Sequence, residues 1–224
     1  MKALNPEFFA RNGYLRLPAV HSKAHLSGVR QELLSEIARL ERAGSLRSVR
    51  RLPVFQQIVR LSTLVRVARL QEVVMTPPLI DAIRLLGGRR PSQIQQAQLL
   101  LSPSLQGAGT FDRLNWHVDV SGSPKSATPG IQAFFLLDDV APRGGATLAL
   151  AGSHHFHGLE ESPLRQALRT THDLDERLHD LGVSMVEMSG RAGDVFLMDM
   201  RVLHSPSANE TRHVRMMATC RCLL

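Results

Sequence analysis

The feature that most constrains the fold is a series of short strand-like segments in the second half of the chain. Turn sequences such as SGSPKSATPG, APRGG and SGRAGD separate these segments, and one helical stretch at about 163–181 interrupts them. Many short strands joined by turns are typical of an antiparallel sandwich or barrel. The pattern therefore predicts a mainly β domain with strands at 94–101, 113–120, 131–138, 146–150, 183–188, 194–199 and 213–222.

The first ninety residues favour helices instead. After a short strand at 14–20, Ser22 is a suitable N-cap for an amphipathic helix. A second helix is expected at about 55–75, and a third begins at Pro77-Pro78 and ends at Gly87-Gly88. With 224 residues the chain is long enough for one substantial core. We therefore expect a single domain over 1–224, mostly helical over 1–90 and with its β core over 91–224.

Neither a membrane span nor a secretory signal is expected. The chain has no apolar run of about 18 residues or more, and Glu7 and Asn5-Pro6 interrupt the N-terminus. Cys220 and Cys222 are the only cysteines, and two residues apart on a strand they are poorly placed to bridge each other. A reducing cytoplasm is the simplest interpretation.

The net charge of +7 is unevenly distributed along the chain. Residues 1–110 contain 16 Lys and Arg against 6 Asp and Glu, whereas residues 111–224 contain 11 against 14. The arginines sit among apolar residues at helical spacing, as in VRLSTLVRVARL, which favours a solvated helix face. The alternatives are an anionic or carrier-linked substrate and, with no supporting motif, a nucleic acid.

Three residues could form a metal site. His117 and Asp119 lie two residues apart in a predicted strand, so both side chains project to one face. His204 follows the strand-like sequence DVFLMDMRV. Two histidines and one carboxylate on one face of a metal leave positions open for a co-substrate and O₂, as in non-haem iron(II) oxygenases. An HxD pair alone is more often structural, so this hypothesis needs further support.

Arg215 provides that support. It lies eleven residues after His204 on the next predicted strand, from which it can reach back toward the metal. A guanidinium there would form a bidentate pair with the distal carboxylate of a 2-oxo acid. Taken alone, Arg215 fits a surface ion pair better than a co-substrate site.

Four sequence blocks together resemble the phytanoyl-CoA dioxygenase family of iron(II)/2-oxoglutarate oxygenases. They are FFARNGYLRLPAV, WHVD, FFLLDDVAPRGGATLALAGSHH and GDVFLMDMRVLHSPSANETRHVR, in that order. The resemblance implies a double-stranded β-helix (a cupin-like jelly roll) with helices packed outside. It also implies that His117, Asp119 and His204 bind Fe(II), that Arg215 binds 2-oxoglutarate, and that O₂ is the oxidant.

The reaction implied is hydroxylation of an unactivated C–H bond. Halogenating relatives have lost the carboxylate ligand, so Asp119 favours hydroxylation or desaturation over halogenation. The substrate is expected to be a small or carrier-linked molecule, and the basic N-terminal half favours an anionic one. Two rivals remain: a cupin-type metal enzyme that does not use 2-oxoglutarate, and a non-catalytic jelly-roll binding module. Neither a nucleic acid nor a membrane is expected as a partner, and the sequence does not predict the oligomeric state.

Further candidates surround this site. Pro206 stands where the family usually has a small hydroxyl residue, so the neighbouring Ser205 is a candidate contact to 2-oxoglutarate. Gln98 and Ser102 are candidates to hold its keto-acid end. Phe134 is expected in the substrate pocket, and Trp116 is expected either there or in the core. His154, His155 and His157 form a loop cluster that needs no metal.

Overall fold

The computed structural model describes residues 4–107, 114–121, 127–156, 162–169 and 173–224. Its helices are α1 Pro6–Asn12, α2 Lys23–Arg42, α3 Ser45–Val49, α4 Val54–Leu64, α5 Leu70–Val74, α6 Pro77–Gly87, α7 Pro163–Arg169 and α8 Leu174–Asp180. Its strands are β1 Tyr14–Leu17, β2 Gln93–Ile94, β3 Gln98–Ser102, β4 Gly130–Leu136, β5 Thr147–Ala151, β6 Ser184–Glu187, β7 Val195–Asp199, β8 His204–Pro206 and β9 Arg215–Leu223.

The strands form two antiparallel sheets. The larger sheet has the order β1-β7-β4-β9-β2, and β3 also pairs with β9. The smaller sheet has the order β6-β5-β8. Strands that are distant in sequence are neighbours in both sheets. In the larger sheet β4 lies between β7 and β9, and in the smaller sheet β5 pairs with β8. The structure confirms a mainly β architecture accompanied by an N-terminal helical region.

Strand alternation divides the apolar residues of the larger sheet between two layers. On β4, Ala133 and Phe135 pack into the cluster that contains the buried residues of α2 and α6, whereas Phe134 and Leu136 pack between the sheets. Successive side chains of a strand point to opposite faces, so one strand serves both layers. A third cluster joins Trp116 to residues of β5, α7 and α8. The inner layer is where a site between the sheets can form.

The helix signals at the N-terminus are confirmed. Ser22 caps α2 by accepting a hydrogen bond from the His25 backbone N–H at 3.0 Å. The apolar face of α2 is buried at Leu26, Val29, Leu33, Ile37 and Leu40. Helix α6 begins at Pro77, and Gly88 follows it in the left-handed conformation, as the Pro and Gly positions predicted. None of the described helices is long and apolar enough to cross a membrane.

Four predicted elements were wrong in their extent. The helix at 55–75 is two helices, because Val65 is extended and Arg69 adopts a left-handed conformation between α4 and α5. The helix at 163–181 is likewise two, α7 and α8. The strand at 94–101 is divided into β2 and β3.

The fourth is the strand at 113–120, of which residue 113 lies outside the described residues. Over 114–120 there is only an isolated bridge between His117 and His204. The partner segment turns at 200–202, so it offers too short an edge for a longer ladder.

Candidate metal centre

The backbone brings the two predicted metal histidines together. His117 and His204 exchange both backbone hydrogen bonds, each at 2.9 Å. The Asp119 N–H donates to the Met200 carbonyl oxygen at 3.0 Å, which holds the carboxylate on the same side. One ligand atom from each of His117, Asp119 and His204 lies within 4.8 Å of the others. A single metal ion can therefore contact all three.

Hydrogen bonds orient both imidazole rings. His117 Nδ1 lies 2.8 Å from the Asn115 carbonyl oxygen, and His204 Nδ1 lies 3.0 Å from that of Val202. A carbonyl oxygen only accepts, so each Nδ1 carries the proton and each Nε2 keeps its lone pair. Burial, together with the neighbouring His117, lowers the pKa of His204 to about 4. The His204 ring is therefore neutral at physiological pH, as a metal ligand must be.

Asp119 uses its two carboxylate oxygens differently. Oδ1 accepts a hydrogen bond from Arg221 Nη2 at 2.7 Å. Oδ2 is buried, lies 3.9 Å from His204 Nε2, and has no hydrogen-bond partner. A buried carboxylate oxygen without a partner is costly, and a divalent cation between it and the two Nε2 atoms would satisfy it. The residues present thus fit a metal ion with two nitrogen ligands and one oxygen ligand.

Arg215 lies on the inward face of β9 with 4% of its surface exposed. Its Nη1 contacts Met217 Sδ at 3.1 Å, and its Nε and Nη2 are buried without a partner. Burial lowers the pKa of Arg215 to about 9, so the guanidinium remains charged at neutral pH. A buried cation with unused donors is stable only when an anion pairs with it. A carboxylate in the adjoining space would provide that pair.

Two members of the triad, His117 and His204, open together with Arg215 onto one cavity of about 730 Å³. His117, His204, Arg215 and Arg221 form part of its wall, and Phe134 contributes an aromatic face from β4. On the other side, the wall is formed by α4 and the segment that follows it. The cavity is large enough for a co-substrate and part of a second organic molecule.

The model of the family described as phytanoyl-CoA dioxygenase (PhyH) matches residues 9–217. The chain belongs to this family. Its match extends over both sheets and most of the helical region, which confirms the resemblance seen in the four sequence blocks. No match to the sequence was found among the curated proteins.

Solved structures share the fold of this family member at low identity. The 2-oxoglutarate-dependent carbocyclase SnoK from nogalamycin biosynthesis is 19% identical, with a TM-score of 0.64 over 97% of this chain and 82% of SnoK. The epimerase SnoN, solved with Fe³⁺, 2-oxoglutarate and a nogalamycin derivative, is 18% identical, with a TM-score of 0.60 over 97% and 81%. EctD from S. alaskensis, solved with 2-oxoglutarate and 5-hydroxyectoine, is 21% identical, with a TM-score of 0.61 over 97% and 74%.

These similarities confirm the jelly-roll fold. Membership of the phytanoyl-CoA dioxygenase family, together with the His-Asp-His triad, supports an oxygenase activity that uses iron(II), 2-oxoglutarate and O₂. The reactions of these neighbours are their own, and they include carbocyclisation by SnoK and epimerisation by SnoN.

Several other predicted site residues do not meet at the cavity. Gln98 lines it, but Ser102 donates its hydroxyl hydrogen to Gln106 Oε1 at 2.8 Å and is fully buried. Ser205 alternates with His204 and faces the other way, donating to the Pro206 carbonyl oxygen at 3.1 Å. Trp116 packs in the core cluster with Leu150 and Leu164 rather than in the cavity wall.

Arg221 lines the cavity and contacts the triad, and the sequence analysis did not identify it. It shares the inward face of β9 with Arg215, because the two positions differ by an even number of residues. Thr219 lies on this face as well, and it accepts a hydrogen bond from Gln132 Nε2 at 2.9 Å. Alternation from Arg215 was the available signal, whereas the contact between Arg221 and Asp119 depends on a separation of 102 residues.

The described histidines of the 154–157 cluster have a structural role. His154 Nε2 and His155 Nε2 lie 3.0 Å and 3.1 Å from the Ala10 and Arg11 carbonyl oxygens at the end of α1. His157 lies outside the described residues. The cluster therefore holds the N-terminal helix against the turn that follows β5.

Proposed function

We propose that this protein hydroxylates an unactivated C–H bond of a small or carrier-linked organic molecule, releasing succinate and CO₂ from 2-oxoglutarate. The observation that carries the proposal is the shared cavity. The unpartnered donors of Arg215 lie in the wall that His117 and His204 also line, and the unpartnered Oδ2 of Asp119 lies 3.9 Å from His204 Nε2. A metal and a dicarboxylate together would satisfy both groups.

His117, Asp119 and His204 would hold Fe(II) through two Nε2 atoms and Oδ2. Arg215 would pair with the distal carboxylate of 2-oxoglutarate, using Nε and Nη2 in a planar fork. Gln98 lines the same cavity and is a candidate contact to either bound molecule. The orientation of Ser102 and Ser205 removes them from this proposal.

When bound, iron, 2-oxoglutarate and O₂ would supply the oxidant that removes hydrogen from carbon. The residues of the chain would position the metal ligands and the substrate and exclude water from the site. Phe134 and Pro206 line the wall beside His204 and limit how water and substrate approach it. The peptide hydrogen bonds that fix His117 against His204 keep the ligand geometry constant during turnover.

Hydroxylation is proposed over the other outcomes because Asp119 is present and its second oxygen is held by Arg221. A retained carboxylate leaves no ligand position for halide. The carbocyclase and the epimerase among the structural neighbours show that the jelly roll also hosts other reactions, so product analysis must decide. Cys220 and Cys222 are free and buried, which supports the proposal of a reducing, cytoplasmic location.

The direct test measures the succinate that forms by slow turnover of 2-oxoglutarate in the presence of Fe(II) and O₂. Wild-type protein is expected to form succinate. In His204→Ala the rate of succinate formation should fall about a hundredfold, because a metal ligand is removed. Arg215→Met is expected to require much more 2-oxoglutarate for the same rate.

The rivals give different results. A cupin-type enzyme would bind the metal without forming succinate and would tolerate Arg215→Met. A binding module would hold no stoichiometric iron, and its behaviour would not change when His117 is replaced by Ala. Either result contradicts the proposal.

A further inference from the structure

The cavity wall carries an asymmetric set of charges. Arg66, Arg215 and Arg221 line it, and no Asp or Glu is found among the described residues of the wall. Asp119, the carboxylate of the triad, is already engaged by Arg221 at 2.7 Å. A cationic group placed in this cavity would therefore meet like charges and no free carboxylate, which disfavours it.

The apolar part of the wall lies on α4 and the segment after it. Phe55 and Val59 are one helical turn apart and line the cavity together with the buried Ile58. Phe55 is 42% exposed and Val59 48%, an unusual exposure for large apolar side chains on one helix face. The apolar body of a bound molecule would cover them and remove that surface from water.

Arg66 follows this apolar face directly, two residues beyond the end of α4 at Leu64. Its side chain is exposed, lines the cavity, and forms no ion pair with any residue in the described part of the chain. The other two arginines of the wall are already used. Arg221 binds Asp119, and Arg215 is assigned to 2-oxoglutarate in the proposed function. Arg66 is therefore the cation left for the substrate.

We propose that the substrate is an amphipathic anion whose apolar body lies along Phe55, Ile58 and Val59 and whose anionic group pairs with Arg66. This inference rests on the proposed function, since it assigns Arg215 to 2-oxoglutarate. It makes α4 and Arg66 the specificity wall of the enzyme, and it excludes cationic substrates such as amines and quaternary ammonium compounds.

The test compares three probes with the same apolar chain: octanoate, octanol and octyltrimethylammonium. Each is titrated calorimetrically into anaerobic Fe(II)-loaded protein saturated with 2-oxoglutarate, so that Arg215 is occupied. Octanoate is expected to bind about tenfold more tightly than octyltrimethylammonium, because attraction to Arg66 is replaced by repulsion from Arg66 and Arg221.

Variants separate the two halves of the wall. Arg66→Gln is expected to weaken octanoate binding about three- to fivefold, the range of an exposed ion pair, and to leave octanol unchanged. Phe55→Ala is expected to weaken the binding of all three probes, because each has the same apolar chain. Arg60→Gln is the matched control, since Arg60 is an exposed arginine of α4 outside the cavity wall.

Equal binding of the anionic and cationic probes, or an Arg66→Gln variant that binds octanoate like wild-type protein, would overturn the substrate assignment while leaving the oxygenase proposal intact. Failure of the oxygenase proposal is seen separately, as wild-type protein that does not bind 2-oxoglutarate before any probe is added. The comparison of wild type with Arg66→Gln in metal-free protein then still tests the pairing of the anion with Arg66, because Arg215 is the same in both.

Discussion

At the scale of single residues, Asp119 explains most about this site. Its side chain is only 6% exposed, one oxygen is bound to Arg221, and the other has no partner. A free carboxylate can bind a metal through both oxygens and occupy two positions. The hydrogen bond from Arg221 would restrict Asp119 to one oxygen toward a bound metal and so leave positions open for a co-substrate and O₂.

Replacing Arg221 with Met should therefore weaken 2-oxoglutarate binding by about tenfold or more. Two effects act in the same direction: Asp119 becomes free to occupy a second position, and a positive charge near the dianion is lost. Calorimetric titration of 2-oxoglutarate into anaerobic Fe(II)-loaded protein measures the change. Arg221→Lys should fall between, since Lys keeps the charge but lacks the planar guanidinium.

Arg30→Met is the control for the loss of an arginine. Arg30 pairs with Asp138 at 2.9 Å on the surface, with nearly half of its side chain exposed and no part in the cavity wall. The Arg30→Met variant should bind 2-oxoglutarate with the affinity of wild-type protein. An Arg221→Met titration that superimposes on wild type would show that Asp119 needs no such restraint.

At the scale of elements, a close backbone approach joins the entrance of α2 to the turn before β7. The His21 N–H donates to the Gly193 carbonyl oxygen at 3.1 Å. Gly193 has a φ of +93°, and a Cβ there would collide with the His21 carbonyl oxygen. The turn SGRAGD therefore requires glycine at this position for steric as well as conformational reasons.

Gly193→Ala should lower the free energy of unfolding by about 2–4 kcal/mol, since strain at a positive φ adds to a backbone clash. Gly28→Ala is the opposite case within α2. No atom lies within 4 Å of a Cβ built at Gly28, and removing a helix-interior glycine should stabilise the protein by about 0.5–1 kcal/mol. Urea denaturation of both variants checks the pair, and a Gly193→Ala variant as stable as wild type would contradict the packing described.

The helices and strands of the structure show which parts of the fold could be predicted from the sequence. His117 and Asp119 lie together as predicted, although a single bridge and not a regular strand holds them. Capping residues correctly placed α2 and α6. The division of 55–75 into α4 and α5 was not predictable, because the apolar pattern continues across Val65 and only tertiary packing ends the first helix there. Ser205 was assigned to the site because it adjoins Pro206, although alternation from His204 turns it away.

At the scale of the whole molecule, the fold concentrates positive charge at the cavity. The basic first half of the chain was expected to present a solvated helix face, and many of its arginines are indeed exposed. Arg66, however, lines the cavity opposite β9, beside residues that lie more than thirty positions later in sequence. Such a wall, built from α4, β3 and β9, depends on sheet order and not on any local pattern, so only the structure reveals it.

The central claim is that a metal and 2-oxoglutarate share the site formed by the triad and Arg215. Anaerobic titration of Fe(II) and 2-oxoglutarate, followed by visible absorption, tests it most directly, because a chelated 2-oxo acid gives a weak charge-transfer band. We predict the band in wild-type protein, its loss in His204→Ala, and a much higher 2-oxoglutarate requirement in Arg215→Met. Wild-type protein that is replete with iron and shows no band would contradict the account.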